Sequence, residues 1–336
     1  MSPPFTSQRR GLTLVEILVV IGMIVLLVSL VVVAVGRISD SAARTQSANA
    51  LREMISAYSG YSADHNQRLM PGYIDPDSIG PGLPFNPRIT HDNLEVPPEA
   101  LASYVWRLKE YLDGNWQTTL RDYVGNDIRD RVESGLGAAD VDSELVEAAF
   151  LLAANSPAFG LNSIFVGGHD TFESEIRPTL DIPAEARIAA TRLSQVRNPA
   201  SLIVFGPAAR ADADMAGTDE LDPYILEGNG DGFALGHHEL RAPALAPHSE
   251  DAGPGNLLWT ERQWATGTGA RLLLTTSGVA LDAIDFGIPI VRRGQSRMPV
   301  ANLDGSVNIA DVAELSEDMR RWSPFVTGSR PAGIVD

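Results

Sequence analysis

Cysteine is absent from the 336 residues. No disulfide framework, thiolate zinc site or cysteine nucleophile can therefore be built, and stapling of the fold must come from packing or an oxygen-ligated metal. Basic charge is also scarce: 26 Lys and Arg stand against 43 Asp and Glu, for a formal net charge of -17, and Lys109 is the only lysine. That field repels a phosphate backbone, which disfavours bulk nucleic-acid binding while allowing a local basic patch such as Arg292, Arg293 and Arg297. There is no Gly-x-Ser-x-Gly elbow, no His-Glu-x-x-His pair and no phosphate loop. The chain is therefore expected not to be an enzyme, and no internal repeat of 20 to 50 residues is visible.

What is present is one long apolar run. Leu12 to Val35 is 24 residues with a single charge, and at about 1.5 Å rise per residue it covers roughly 36 Å of helix, against about 30 Å for a hydrocarbon core. It reads as a transmembrane helix rather than a secretory signal peptide, whose apolar stretch is about 7 to 15 residues and ends at a small-residue cleavage site. Arg9 and Arg10 precede the run and place the N-terminus on the cytoplasmic side. Glu16 is the anomaly within it. A carboxylate in a spanning helix costs roughly 2.5 to 3.5 kcal/mol on insertion scales, so Glu16 either snorkels to the headgroups or meets a positive partner.

The segment Arg9-Arg10-Gly11-Leu12-Thr13-Leu14-Val15-Glu16-Ile17 closely resembles the processing signature of type IV pilins and type II secretion pseudopilins. The resemblance implies that a membrane-embedded prepilin peptidase cuts between Gly11 and Leu12 and methylates the new amine of Leu12. It also makes Glu16 the fifth mature residue, paired with the N-terminal amine of an adjacent subunit. The family's usual first mature residue is Phe, where this chain has Leu12. The physical logic is coherent: glycine enters a peptidase groove without a side chain in the way, and carboxylate and amine relieve each other in a water-free filament core.

Beyond the run, Ile38, Ala42, Thr45, Ala48, Leu51, Ile55 and Tyr58 recur every three or four residues with polar residues between them, which predicts an amphipathic extension of the same helix to about Ser62. Residues 63–98 are dense in Pro and Gly and read as a loop. Helical patterns resume over Glu99–Leu112, Gln117–Glu133 and Val141–Ala154. Short strand-like segments follow: Ser163–Val166, Ser201–Phe205, Leu257–Trp259, Arg271–Thr276, Ile288–Arg292, Met298–Asn302 and Ser306–Ile309. The expected fold is α+β and pilin-like, a long N-terminal transmembrane and amphipathic helix packed on an antiparallel sheet head with extra helices. Its expected divisions are a leader at 1–11, the span at 12–35, the amphipathic extension at 36–62, the loop at 63–98 and the head at 99–336.

In the head, Ser103 through Leu112, Phe159 through Ser163 and Val196 through Ala200 resemble a large pilin-like family abundant in planctomycetes. That family usually ends in a histidine, a spacer and an Asp-Gly hairpin. Asp304-Gly305 fits the hairpin, but Gly294 stands where the histidine would be.

Weaker chemical candidates remain. Asn302, Asp304, Asn308 and Asp311 superficially follow a calcium loop, although Asp304-Gly305 between apolar strands is also a hairpin signal and the stronger reading. Glu227, Asn229 and Asp231 alternate in a Gly-rich stretch without a closing carboxylate, so a flexible loop outweighs calcium there too. His237, His238 and Glu239 with His248 match no metal-ligand spacing and read as solvent-exposed loop residues; His169-Asp170 and His91-Asp92 are similarly weak. The five tryptophans, Trp106, Trp116, Trp259, Trp264 and Trp322, read as packing before they read as a carbohydrate-binding face.

The functional expectation is a structural subunit without a cofactor, calcium being the lesser alternative, that assembles into a type II secretion pseudopilus or type IV pilus-like filament and supports protein secretion. Its implied partners are prepilin peptidase, copies of itself or other pilin-like subunits, the assembly machinery and the bacterial inner membrane, with no nucleic acid. The N-terminus is expected in the cytoplasm and the head in the periplasm or outside the cell. The alternative is a pilin-anchored envelope binding module or adhesin that displays an acidic head.

Overall fold

The computed structural model describes residues 14–83, 88–120, 127–137, 143–170, 173–174, 187–211, 234–236, 238–240, 245–246, 258–259, 264–266, 272–274, 288–289, 297–311, 314–315 and 318–325. The chain divides into two units, 1–45 and 46–336. The fold is mixed, with helices and antiparallel sheets.

The first unit contains the start of helix α1 (Leu14–Asp64), 51 residues long. Leu, Val and Ile dominate its early turns, and Glu16 sits in the first described turn. Apolar side chains point out on every side: the large ones from Leu14 to Val31 are between 47% and 80% exposed. Among the described residues no helix is long and apolar enough to cross a membrane. Leu12 and Thr13 and the side chains of residues 30 and 32–40 lie outside the description, and the uninterrupted run Leu14–Ser29 that remains covers about 24 Å at about 1.5 Å per residue. The expected span over Leu12–Val35 therefore begins before the described residues, and most of its side chains after Ser29 lie outside the description.

In the second unit α1 becomes amphipathic, as the periodicity predicts. Ala48, Leu51, Ile55 and Tyr58 are buried together with Ala50, Met54 and Ala57, while Arg52, Glu53 and Ser59 face outward. This face joins Tyr104, Val105, Leu108, Phe159, Leu161, Val204, Phe205 and Ala301 in the first core. The helix runs two residues past the predicted end and stops without a glycine. Asn66 and Gln67 adopt φ of 53° and 59°, and the Gln67 N–H closes back on the Ser62 carbonyl at 2.7 Å.

The loop that follows is largely ordered. It carries a hairpin of β1 (Thr90–His91) and β2 (Leu94–Glu95), closed by Asp92 and Asn93 with φ of 51° and 67°. The predicted helix Glu99–Leu112 is broken into α2 (Pro98–Leu101), α3 (Tyr104–Leu108) and a 3-10 turn. The reason is Arg107. Its guanidinium takes the carbonyls of Ala102 and Ser103, and Ser103 is extended, which interrupts the helical ladder. The predicted Gln117–Glu133 helix likewise resolves into a 3-10 turn at Trp116–Leu120 and α4 (Asp127–Leu136). In that turn Asn115 and Thr118 donate to Glu53, and the Thr119 hydroxyl donates back to the Trp116 carbonyl. Helix α5 (Ser143–Asn155) falls where expected. Trp106, Trp116, Leu120, Val132, Phe150 and Ala153 build a second core under the helices. Helix α3 serves both cores, with Tyr104, Val105 and Leu108 in the first and Trp106 in the second.

The main sheet is antiparallel and centred on β4 (Ile203–Ala211). β3 (Phe159–Leu161), β5 (Ala234–Gly236), β10 (Ile288–Pro289) and β11 (Arg297–Asn302) all pair with β4, and β12 (Val307–Asp311) pairs with β11. Two small hairpins, β6 (Leu245–Ala246) with β7 (Leu258–Trp259) and β8 (Trp264–Thr266) with β9 (Leu272–Leu274), lie between β5 and β10 in the sequence. The predicted strand Ser163–Val166 is a turn. Buried Asn162 donates through Nδ2 to the Ile203 and Trp322 carbonyls, and Val166 N–H bonds back to Asn162, so the chain leaves the ladder after Leu161.

Trp106 is fully buried, packs against Trp116 and Phe150, and donates from Nε1 to the Phe150 carbonyl at 3.0 Å. Trp106→Ala is expected to cost about 3 to 5 kcal/mol in denaturant unfolding, the usual range for emptying an aromatic core position. A cost below about 1 kcal/mol would be incompatible with a packed second core.

Candidate functional site

Of the residues singled out in the N-terminal segment, Gly11 and Leu12 lie outside the described residues, and Glu16 is described and exposed. The helix around Glu16 has no polar face. A helix that is apolar all round is stable only when something other than water surrounds it, whether lipid or the matching face of other helices.

The hairpin at Asn302–Ser306 is a turn with its polar groups committed to the turn itself. Asn302 N–H bonds the Ser306 carbonyl at 2.8 Å, Gly305 N–H bonds the Asn302 carbonyl at 3.0 Å, and Gly305 has φ of 89°. This is the three-residue loop with a left-handed glycine. Asp304 Oδ1 accepts from the Ser306 N–H and hydroxyl at 2.9 and 2.6 Å. Asn308 pairs with Val300 and Asp311 with Arg297. Three residues apart on one strand, Asn308 and Asp311 point to opposite faces, and Asp311 lies 3.9 Å from Arg297. The four oxygen-bearing residues are thus dispersed, and no metal-holding group of three appears among the described residues. Glu227, Asn229 and Asp231 lie outside them.

The densest polar cluster is one that sequence spacing did not reveal. Glu239 and His238 were expected on an exposed loop; instead Glu239 is buried at 3% exposure and bonded to His169 Nε2, itself buried, and His238 is half-buried. Tyr73 stacks on both imidazoles, with ring centroids 4.8 Å from His169 and 5.9 Å from His238. The backbone makes this arrangement compulsory. Leu161 N–H bonds the His238 carbonyl and Leu240 N–H bonds the Leu161 carbonyl, which lays 238–240 along β3. Gly160 allows the approach, since a Cβ there would stand 2.2 Å from the Glu239 carbonyl oxygen. His237 and His248 lie outside the described residues.

Arg107 supports the same cluster from below. Nε bonds the Ser103 carbonyl at 2.9 Å, and Nη2 reaches Ala102 and Gly72 at 3.0 and 3.2 Å. Burial pushes the guanidinium down to about 10, with Tyr61, Tyr58 and Asp170 pulling the other way. Gly72 N–H bonds Gly168, Asp170 N–H bonds Tyr73, and Asp170 Oδ2 accepts from Asp75 N–H at 3.0 Å. Three chain segments, 72–75, 168–170 and 238–240, are thereby tied together. His169 and Glu239 are buried, while Tyr73 and His238 are half-buried and Asp170 is exposed, and the bonds among them act as a structural lock. The partners are 70 residues apart in sequence, which is why local spacing could not reveal them.

His91 forms a second titratable feature. It sits against Trp106, Trp116 and Phe150, with Asp92 at 3.5 Å. Burial and Lys109 depress its pKa, and Asp92 opposes them. Trp106, Trp116 and Trp322 are all buried, which leaves them no carbohydrate-facing surface; the side chains of Trp259 and Trp264 lie outside the described residues.

No family model, curated protein or solved structure matches this chain.

The depressed His91 has a direct consequence. The folded state disfavours the proton that the unfolded state binds near pH 6.5. Stability contributed by neutral His91 is therefore present above about pH 6.5 and lost as pH falls through the folded value. Thermal melts should show a smaller drop between neutral and mildly acid pH for His91→Phe than for wild type. Equal drops would show that His91 does not contribute.

Proposed function

We propose that this chain is a pilin-like structural subunit. Prepilin peptidase removes the leader after Gly11 and methylates Leu12, the apolar part of α1 resides in the bacterial inner membrane, and subunits assemble into a type II secretion pseudopilus or type IV pilus-like filament. The observation that carries this reading is the opening of α1: one acid in the first turn, followed by turn upon turn with apolar side chains on every side. Lipid satisfies such a helix before assembly, and neighbouring copies of the same helix satisfy it afterwards.

Glu16 gives the assembly its register. A carboxylate among apolar side chains is costly away from water, and the positive amine of an adjacent processed subunit is a partner of the right charge. The prepilin-like residues Gly11, Leu12 and Glu16 stand in the order that this chemistry requires. The membrane-distal task falls to an acidic, compactly cored head, whose role in this reading is to present a surface rather than to catalyse.

Mass spectrometry of the protein from cells that contain a prepilin peptidase should find an N-terminus at Leu12 carrying one added methyl group. An intact leader in such cells would contradict the proposal. Glu16→Val should insert as well as wild type yet fail to enter filaments; filament yield equal to wild type would remove the charge-pairing argument.

A further inference from the structure

Just beyond the end of α1 the chain places two arginines side by side. Arg68 and Arg192 are partners in an antiparallel bridge, flanked by Leu69 N–H to the Thr191 carbonyl and Leu193 N–H to the Gln67 carbonyl, both at 2.9 Å. That pattern makes them a non-hydrogen-bonded pair, the type in which Cα atoms approach to about 4.5 Å and the side chains emerge together. Like charges directly opposite each other are destabilising in such a pair. The backbone leading into it, Asn66 and Gln67, is held in the left-handed region, which residues other than glycine adopt at a cost. Elsewhere Arg129, Arg297 and Arg320 each face a carboxylate. Arg68 and Arg192 are exposed, and no described carboxylate forms an ion pair with either.

We propose that Arg68 and Arg192 form a docking point for carboxylate side chains on an adjacent copy of this chain. The inference rests on the reading of the chain as an assembling subunit and names one of its head contacts. Charge complementarity selects the occupant. Copies with 43 acids against 26 bases repel one another, so heads that are packed together must set their few concentrated basic points against acidic surface. Two arginines on directly opposed backbone positions can each present a guanidinium fork that fits a carboxylate in bidentate fashion. The repulsion between them within one copy is relieved when the neighbour supplies the counter-charge.

The test uses the full-length chain in detergent micelles, with self-association followed by sedimentation at low and high salt. Wild type should associate, and more weakly as salt rises. Arg68→Glu with Arg192→Glu should weaken association about tenfold and reverse its salt dependence, because salt then screens a repulsion, whereas Arg68→Lys with Arg192→Lys should retain part of the association. Arg68→Gln with Arg192→Gln separates docking from folding: association should fall while the thermal midpoint stays level or rises, because a like-charge pair has been removed. A wild-type chain that remains monomeric, a charge-reversed chain that associates as well as wild type, or a Gln variant that loses stability in step with association would each overturn the inference. A Glu16→Val chain that associates like wild type while the charge-reversed chain does not would count against the helix-pairing reading alone.

Discussion

A single buried guanidinium organises the head. Arg107 bonds the carbonyls of Gly72, Ala102 and Ser103, and in doing so ends α2, permits α3 to begin, and fixes the loop that carries Tyr73. The orientation of α3 then follows, with Trp106 turned to one core and Tyr104 to the other, its hydroxyl donating to the Phe159 carbonyl of β3. Tyr73 in turn stacks on His169 and His238, and the pairing of His169 with Glu239 holds 238–240 against β3. A charge taken out of water is expensive unless its hydrogen bonds are met. Here backbone carbonyls take Nε and Nη2, so the charge specifies which segments must come together.

The N-terminal part of α1 obeys the opposite rule. Its described side chains from Leu14 to Ser29 are exposed and almost all apolar, and Glu16 is the one charge among them. In the proposed reading the two rules divide the labour, the apolar helix supplying adhesion and one carboxylate supplying register. The paired Arg68 and Arg192 would extend the same economy to the head, where net charge discourages association except at a defined point.

How much was legible in the sequence follows the range of the forces involved. Local patterns were readable: the amphipathic face through Leu51, Ile55 and Tyr58, the α5 helix, and the strands beginning near Ile203, Met298 and Val307 all follow from periodicity and turn residues. Side chains that seize backbone groups defeated the same reasoning. Arg107 broke a helix that its neighbours favoured, and Asn162 turned a strand-like stretch into a turn. The polar cluster was illegible because its parts come from three distant segments, and an adjacent His-Glu dipeptide looks alike whether exposed or buried. The hairpin at Asp304-Gly305 was legible because a left-handed position beside an aspartate is a local requirement.

The position of β4 has a consequence for how such heads diversify. Residues 212–296 form an excursion between β4 and β11, and strands near both of its ends, β5 and β10, return to the far half of β4. The near half of β4 is reserved for β3 and β11. An excursion zipped at both ends behaves as a cassette. Outside 238–240, a change in the length of such a connection costs little in chain entropy, since each doubling of a closed loop adds only about 0.6 kcal/mol. Residues 238–240 are the fixed point within it, since they bond β3 and Glu239 pairs with His169. A head built this way can acquire new surface without renegotiating its fold.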